Sequence, residues 1–502
     1  MKKILCLLLA ALMLLSLVAC GQTTDETPDD TKPQGNVTEQ DTADQNYVCD
    51  LPSNLNYGGE TIGILYANVN NKGDELVSEE LGNGVVSDAV YERNVAVQEM
   101  LQVTFEFFPE DDATQVANSQ TLDIQGGQGD YDLVVNGTYM AVQPAMEGKY
   151  INLSALENIN TDKHYWTQGY NDMVTFTDAE MQFLASGPIA ISMFRFMYLT
   201  LYNKTLFDDN KITDLYETVK AGDWTLDYQY SIAKNHYVDK DGNAKASDGD
   251  FYGFVTGDTI SVDPYMVAAN IHMITKDPET GDMVYNAAAI STLADLCEKV
   301  HLLYKDESTY VYKGATNDDV PYNYIIDHFT ANNALMVTTM FLKMETNYDN
   351  LAAMSYGIAP MPKFDTNQKN YYSYVQDQVS CFGISAVVGD NDRQEMLAAV
   401  LEAMAYHSYL LVRPAYYETA LSERYMQDPE SKEVLDMIFD SLYFDFSSTC
   451  SNVFTSCVIR DNLRPILSGS SNKPVSSSTK SWQRSVERHL EKYNEVLEGL
   501  KP

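Results

Sequence analysis

A chain of 502 residues is too long for one ordinary hydrophobic core, so two lobes or domains are expected. Its 72 acidic residues against 33 basic ones give a formal net charge of −39, and no basic stripe with interleaved aromatics offsets that field, which excludes nucleic acid as a partner. The 45% hydrophobic content is that of a globular protein, and the one long apolar run lies at the extreme N-terminus, so nothing downstream reads as a bilayer span.

That run, residues 4–18, follows Lys2 and Lys3 and is too short for a comfortable span, which suits an export signal over residues 1–19. Leu17-Val18-Ala19-Cys20 resembles the bacterial lipobox, where small residues let the lipoprotein signal peptidase reach the bond before a diacylated cysteine, so Cys20 is the expected lipidation site. Residues 20–56 form the lipidated cysteine and a disordered tether, because residues 21–50 are Thr, Asp, Gln, Asn and Pro with almost no large apolar side chain to bury. The expected location is extracytoplasmic, on the cell membrane through that anchor. Cys6 leaves with the signal, and Cys49, Cys297, Cys381, Cys450 and Cys457 remain. This odd set is no disulfide framework, although Cys450 and Cys457 could pair. No metal-like Cys/His spacing occurs, and no cofactor and no metal are expected.

The body opens with Thr61-Ile62-Gly63-Ile64-Leu65-Tyr66, a short buried strand, and the polar turn Ala67-Asn68-Val69-Asn70, where an open parallel sheet presents its ligand loops. Val86, Val90, Val97, Met100 and Leu101 recur at helical spacing, and Val103, Phe105 and Phe107 alternate as a strand, which makes a βαβ unit. Tyr131-Asp132-Leu133-Val134-Val135 is the next strand, ending in Asn136-Gly137-Thr138-Tyr139 before a helix over residues 141–150 that closes on Gly148. Residues 199–203, 251–255, 334–337 and 356–360 read as further short strands. Beyond Asp390 the chain is mostly helical, over residues 396–411, 434–442 and a last helix in which Trp482, Val486, Leu490, Tyr493, Leu497 and Leu500 form one apolar stripe suited to packing. Residues 468–478 are a Ser-rich surface loop, and the class is α/β.

Six segments together carry a resemblance. They are Asp88-Ala89-Val90-Tyr91-Glu92-Arg93-Asn94; Tyr131-Asp132-Leu133-Val134 with Glu147-Gly148-Lys149-Tyr150-Ile151-Asn152-Leu153; Leu201-Tyr202-Asn203-Lys204-Thr205-Leu206-Phe207; Gly222-Asp223-Trp224-Thr225-Leu226-Asp227; Tyr356-Gly357-Ile358-Ala359-Pro360-Met361-Pro362-Lys363; and Arg413-Pro414-Ala415-Tyr416-Tyr417-Glu418. In this order the chain resembles the extracellular solute-binding lipoproteins of ABC importers, the broad family that includes maltose-binding protein, over most of residues 57–440. The resemblance implies a two-lobe periplasmic-binding-protein-like fold of type II, with an interlobe cleft and a helical C-terminal region. One lobe would hold residues 57–187 and 358–405, the other residues 188–357 and 406–502. The crossings would fall near Gly187-Pro188 and near residues 356–360, where a hinge can absorb dihedral change. It also implies a monomer that captures a small solute, a sugar or oligosaccharide, and delivers it to the permease subunits of an ABC transporter.

A sugar cleft needs flat ring faces and fixed polar groups, and the 35 tyrosines suit it. Tyr66, Asn68, Asn136, Thr138 and Tyr139, placed after strand ends, are the candidates from the first lobe. Arg195 follows the first crossing, and Phe341 stands where the family often has an aromatic ring. Asp377 and Gln378, beside Gln376, bring planar groups able to pair with adjacent hydroxyls. Asp239, Asp241, Asn243, Asp248 and Asp250 make a faint likeness to a calcium loop, but Gly242 stands at the wrong step and Lys245 intrudes, so an acidic turn is expected.

A surface hydrolase acting on glycosides is the competing class. There is no G-x-S-x-G, H-E-x-x-H or P-loop, Gly126-Gly127-Gln128-Gly129 precedes a strand rather than opening a helix, and the seven histidines are scattered. No catalytic residue is therefore assigned. A third reading keeps the binding fold but makes the protein a sensor, or a carrier of peptides or another solute.

Overall fold

The structure is a computed structural model that describes residues 49–69, 72–176, 181–313, 319–417, 428–454 and 458–500. The expected signal, Cys20, the tether before Cys49, and Cys457 lie outside the described residues. Among the described residues no helix is long and apolar enough to cross a membrane.

β1 (Glu60–Ala67) is buried on both faces from Ile62 onward, as a central parallel strand must be. It leads through α1 (Val85–Leu101) to β2 (Val103–Glu110), which pairs parallel to it from Glu60↔Val103 to Ala67↔Glu110, so the expected βαβ unit is formed. α2 (Ala113–Gly126) starts sharply because Asp112 caps it, accepting the amides of Thr114 at 2.7 Å and Gln115 at 2.9 Å. β3 (Leu133–Gly137) then lies parallel on the other side of β1 and runs directly into α3 (Thr138–Met146).

A second sheet holds the middle of the chain. β4 (Tyr198–Asn203), β5 (Tyr252–Gly257), α4 (Ala289–Tyr304), β6 (Thr309–Tyr312), α5 (Asp319–Thr330), β7 (Ala334–Met340), α6 (Phe341–Thr346) and β8 (Tyr356–Ala359) give the strand order β6-β5-β7-β4-β8. β5 is parallel to β6 and β7, whereas β4 is antiparallel to both β7 and β8. β9 (Ser380–Ile384) returns to the first sheet antiparallel to β3, completing the order β9-β3-β1-β2. β8 is thus wholly a strand of the second sheet, and the chain goes back between Ala359 and Ser380, after the position read from the sequence.

The two passages between the sheets run side by side. Ala185 and Phe382 exchange backbone bonds of 2.9 Å, Met197 bridges Val375, and the Gln376 amide donates to the Phe196 carbonyl at 3.0 Å. Gly187, expected as a pliable step, is instead a point of close approach: a Cβ there would lie 3.0 Å from the Thr167 amide nitrogen.

The described residues beyond Asp390 are mostly helical, as expected: α7 (Asn391–His407), α8 (Pro429–Asp440), α9 (Val458–Leu467) and α10 (Val475–Gly499). The stripe on α10 packs as predicted from Trp482 to Leu497, while Leu500 beyond it is 40% exposed. The Ser-rich stretch is shorter than expected, because α10 already begins at Val475 and buries Ser478.

Candidate functional site

Side chains beyond the C-terminal ends of parallel strands face the crevice where open α/β sheets bind ligands. At the end of β3, Thr138 donates to the Val379 carbonyl through both its amide, 2.9 Å, and its hydroxyl, 2.8 Å, and the Tyr139 amide donates to the Asp377 carbonyl at 3.1 Å. This stitches the start of α3 to the segment that enters β9. The Asp377 carboxylate, 5% exposed, accepts Arg460 Nη1 at 2.5 Å and the Ser451 hydroxyl at 3.5 Å, so the C-terminal region is fastened at the same point.

The expected ligand residues therefore divide. Asn136, Thr138, Tyr139, Asp377 and the half-buried Gln378 gather around the β3–β9 edge, with Asn136 donating to the Ala113 carbonyl at 2.9 Å and Thr138 bonded to the Tyr170 hydroxyl at 2.9 Å. Tyr66 is buried in the core of the first sheet, its ring edge-on to Phe107, and burial raises its pKa. Asn68 is exposed just past β1. Phe341 opens α6 with its ring fully buried, and its amide donates to the Met197 carbonyl. Arg195 pairs with Glu345 at 3.0 Å and with Asp74 at 3.5 Å, as an ion pair does.

A cavity of about 350 Å³ opens beside Tyr139. One wall is the stripe Tyr139, Gln143 and Glu147, four residues apart along α3 and its C-terminal cap; the other is Asn452, Phe454 and the α10 pair His489 and Tyr493. Gln143 Nε2 donates to Glu147 Oε1 at 3.0 Å, and Glu147 pairs with Lys149 at 3.3 Å, so the charges of this rim offset one another. Asn452 Nδ2 donates to the Met140 sulfur at 2.8 Å, a weak acceptor. His489 Nδ1 donates to the Ser485 carbonyl at 2.6 Å. The Tyr493 hydroxyl donates to the Val453 carbonyl at 3.2 Å, and burial together with the Glu147 charge pushes this phenol up to about 12.

Gln143, Asn452, His489 and Tyr493 were not among the residues picked from the sequence. Tyr493 belongs to the packing stripe, and nothing in the pattern distinguishes the one ring of that stripe that also borders a cavity. The acidic turn is held by its own carboxylates. Oxygens of Asp239, Asp241 and Asp250 lie within 4.8 Å of one another, but Asp239 accepts the amides of Gly242 and Ala244, and Asp250, buried rather than solvated, accepts those of Lys240 and Ser247.

No protein-family model matches the chain, and no curated protein matches it by sequence. Solved structures do match in fold. UspC of M. tuberculosis is 14% identical with a TM-score of 0.54, covering 86% of this chain and 100% of that one. A sugar transporter protein of Rhizobium etli in an open conformation is 14% identical with a TM-score of 0.52, covering 88% and 100%. The maltose-binding periplasmic protein MalE of Listeria monocytogenes, in complex with maltose, is 11% identical with a TM-score of 0.51, covering 86% and 98%. The chain thus has the two-lobe α/β fold of the periplasmic solute-binding proteins.

Proposed function

We propose that this protein captures a soluble sugar or short oligosaccharide outside the cytoplasm and hands it to the permease of an ABC importer, while a lipid on Cys20 keeps it at the cell membrane. The observation that carries this reading is the cavity beside the β3–β9 edge, bordered by rings and amides, in a fold that similar proteins use to hold sugars. Rings offer flat apolar faces to the C–H side of a sugar, and amides offer paired donors and acceptors to its hydroxyls. The two sheets act as lobes, the paired passages between them as the hinge, and a ligand closes them only by the free energy with which it favours the closed form. The protein works as a monomer and by binding alone, without turnover.

Calorimetry of the purified chain against neutral mono-, di- and oligosaccharides tests this, with dipeptides in parallel. Saturable binding to a sugar that is recovered unchanged is expected. Binding to peptides with no binding to any glycan, or recovery of the sugar in cleaved form, would refute it.

A further inference from the structure

β6 is the outer strand of the second sheet, and two of its four residues are tyrosines, Tyr310 and Tyr312, set on one face by strand alternation. Their rings meet edge-on with centroids 4.8 Å apart, and α5 lays Tyr324 nearly parallel to Tyr312, at 5.4 Å and 20°. Tyr324 is 50% exposed, so with one face on Tyr312 its opposite face is open to solvent. Carboxylates flank these rings. Asp327, exposed, stands three residues after Tyr324 on α5 and is therefore its neighbour on the helix surface. Burial raises the phenols of Tyr310 and Tyr312, and the charge of the exposed Asp248 adds to this at both, with Asp327 adding at Tyr312. Among the described residues neither Asp248 nor Asp327 is in an ion pair. Lys240, on the same turn as Asp248, is spent on the Asn333 side chain at 2.6 Å, and alternation sends Lys313 to the other side of the strand.

The geometry points to a docking site for another protein: an arginine-bearing segment of that partner lies over Tyr324 and the margin of β6, one guanidinium stacking on Tyr324 and pairing with Asp327, while Asp248 receives a second cation. Charge complementarity selects this occupant. Tyrosine faces and carboxylates both attract cations, and the formal −39 of the chain adds a long-range pull. Arginine fits better than lysine, because its planar fork stacks on a ring and binds a carboxylate through two parallel bonds. A neutral glycan would use the open ring but not the two charges. No residue of the patch borders the cavity beside α3, so docking here is separate from capture of the solute.

The test is calorimetry on the full chain at low ionic strength. The probe is a capped glycine peptide carrying two arginines, compared with its lysine and citrulline counterparts and with cellohexaose. Tyr324→Ala and Asp327→Asn change exposed side chains, and circular dichroism checks that both variants are folded. Glu99→Gln removes one exposed charge from α1, away from the patch, as the control. The arginine peptide should bind the wild type more tightly than the lysine peptide, and the citrulline peptide should not bind. Tyr324→Ala should weaken the arginine peptide by about tenfold, Asp327→Asn by about fivefold, and Glu99→Gln should stay within about twofold. Tyr324→Ala is uncharged like the native residue, so its loss separates the patch from the pull of the whole chain. Arginine-peptide binding that is absent, or that Tyr324→Ala leaves within about twofold, would overturn the proposal. Cellohexaose bound in place of the peptide, and lost in Tyr324→Ala, would overturn the partner class and make the patch a glycan platform.

Discussion

Gly253 lies in β5 where a side chain has no room: an added Cβ would run into the Ala233 carbonyl, and backbone cannot swing aside as a side chain can. Gly253→Ala is expected to cost about 1–3 kcal/mol, the range for overpacking, seen as a lower urea midpoint at unchanged slope. His328 gives a pH-dependent counterpart. It is 4% exposed among the rings of Tyr252, Tyr310 and Tyr312, and burial pushes its pKa below the ordinary histidine value, with Lys240 adding to that effect and Asp248 and the Asp250 carbonyl opposing it. The unfolded chain takes up this proton first as the pH falls, so the contribution of His328 to stability is complete above about pH 6.5 and is lost below it. His328→Phe, which keeps the ring and removes the titration, should reduce the fall in stability between about pH 7 and about pH 5, and an unchanged fall would show that other groups cause it. The same scale shows what sequence could not give of the site. Strand-end position groups Asn136, Thr138 and Tyr139 at the β3–β9 edge, but Tyr66 shares the side of β1 that carries Ile62 and Ile64, so its ring turns into the core. Phe341 follows β7 with no loop between and begins a helix, which also turns its ring inward.

The elements were legible wherever hydrophobic period and length agreed. β1, α1, β2 and β3 stand within a few residues of their reading, because β1 and β3 are covered on both faces and α1 carries one apolar side. β6 and β9 were not read. β6 is four residues rich in Tyr, and β9 is five with Gly383 inside, so neither makes a run that stands out before its partner strand is known. Pairing also decides direction, and the antiparallel setting of β4 has no signature in Tyr198–Asn203 itself. Between elements, Arg393 carries the docking of α7 on the first sheet. Its Nε and Nη2 both reach Asp132 at 2.8 Å, Nη1 reaches Glu60 at 3.2 Å, and Asp132, 4% exposed, also accepts the Gly63 amide at 2.9 Å. Arg393→Ala strips the buried carboxylate of its fork and should cost about 1–3 kcal/mol, less than a fully buried pair because the arginine is itself 32% exposed. Arg393→Lys keeps the charge but not the two-pronged geometry and should recover only part of that loss, measured by urea unfolding. Full recovery would mean that charge alone holds α7 in place.

For the molecule as a whole, the segment that carries the chain from the first sheet to the second is tied to both. Ser192 gives its amide to Glu75 at 2.8 Å and accepts the Ser380 amide at 3.0 Å, which joins the turn after β1, the first passage and the start of β9. Three residues on, Arg195 spans Asp74 of that same turn and Glu345 of α6, which follows β7 in the second sheet. The two bonds are unequal. Asp74 is 60% exposed and its pair is worth about 0–1 kcal/mol, whereas Glu345 is 17% exposed and also accepts the Tyr416 hydroxyl. Separation of the sheets should therefore break the Asp74 contact first and leave Arg195 on Glu345. Asp74→Asn in the ligand-free protein should shift the balance towards the open form by only a few-fold, an effect that fades at about 1 M salt, where the wild-type pair is screened as well. Arg195→Gln removes that same contact to Asp74, and because the Glu345 bond is kept in both forms it should open the molecule by a similar few-fold, seen as a larger radius of gyration in small-angle scattering at low salt and little change at about 1 M salt. An Arg195→Gln protein that scatters like the wild type at low salt would show that the sheets are held by the packing of the C-terminal helices and not by this arginine.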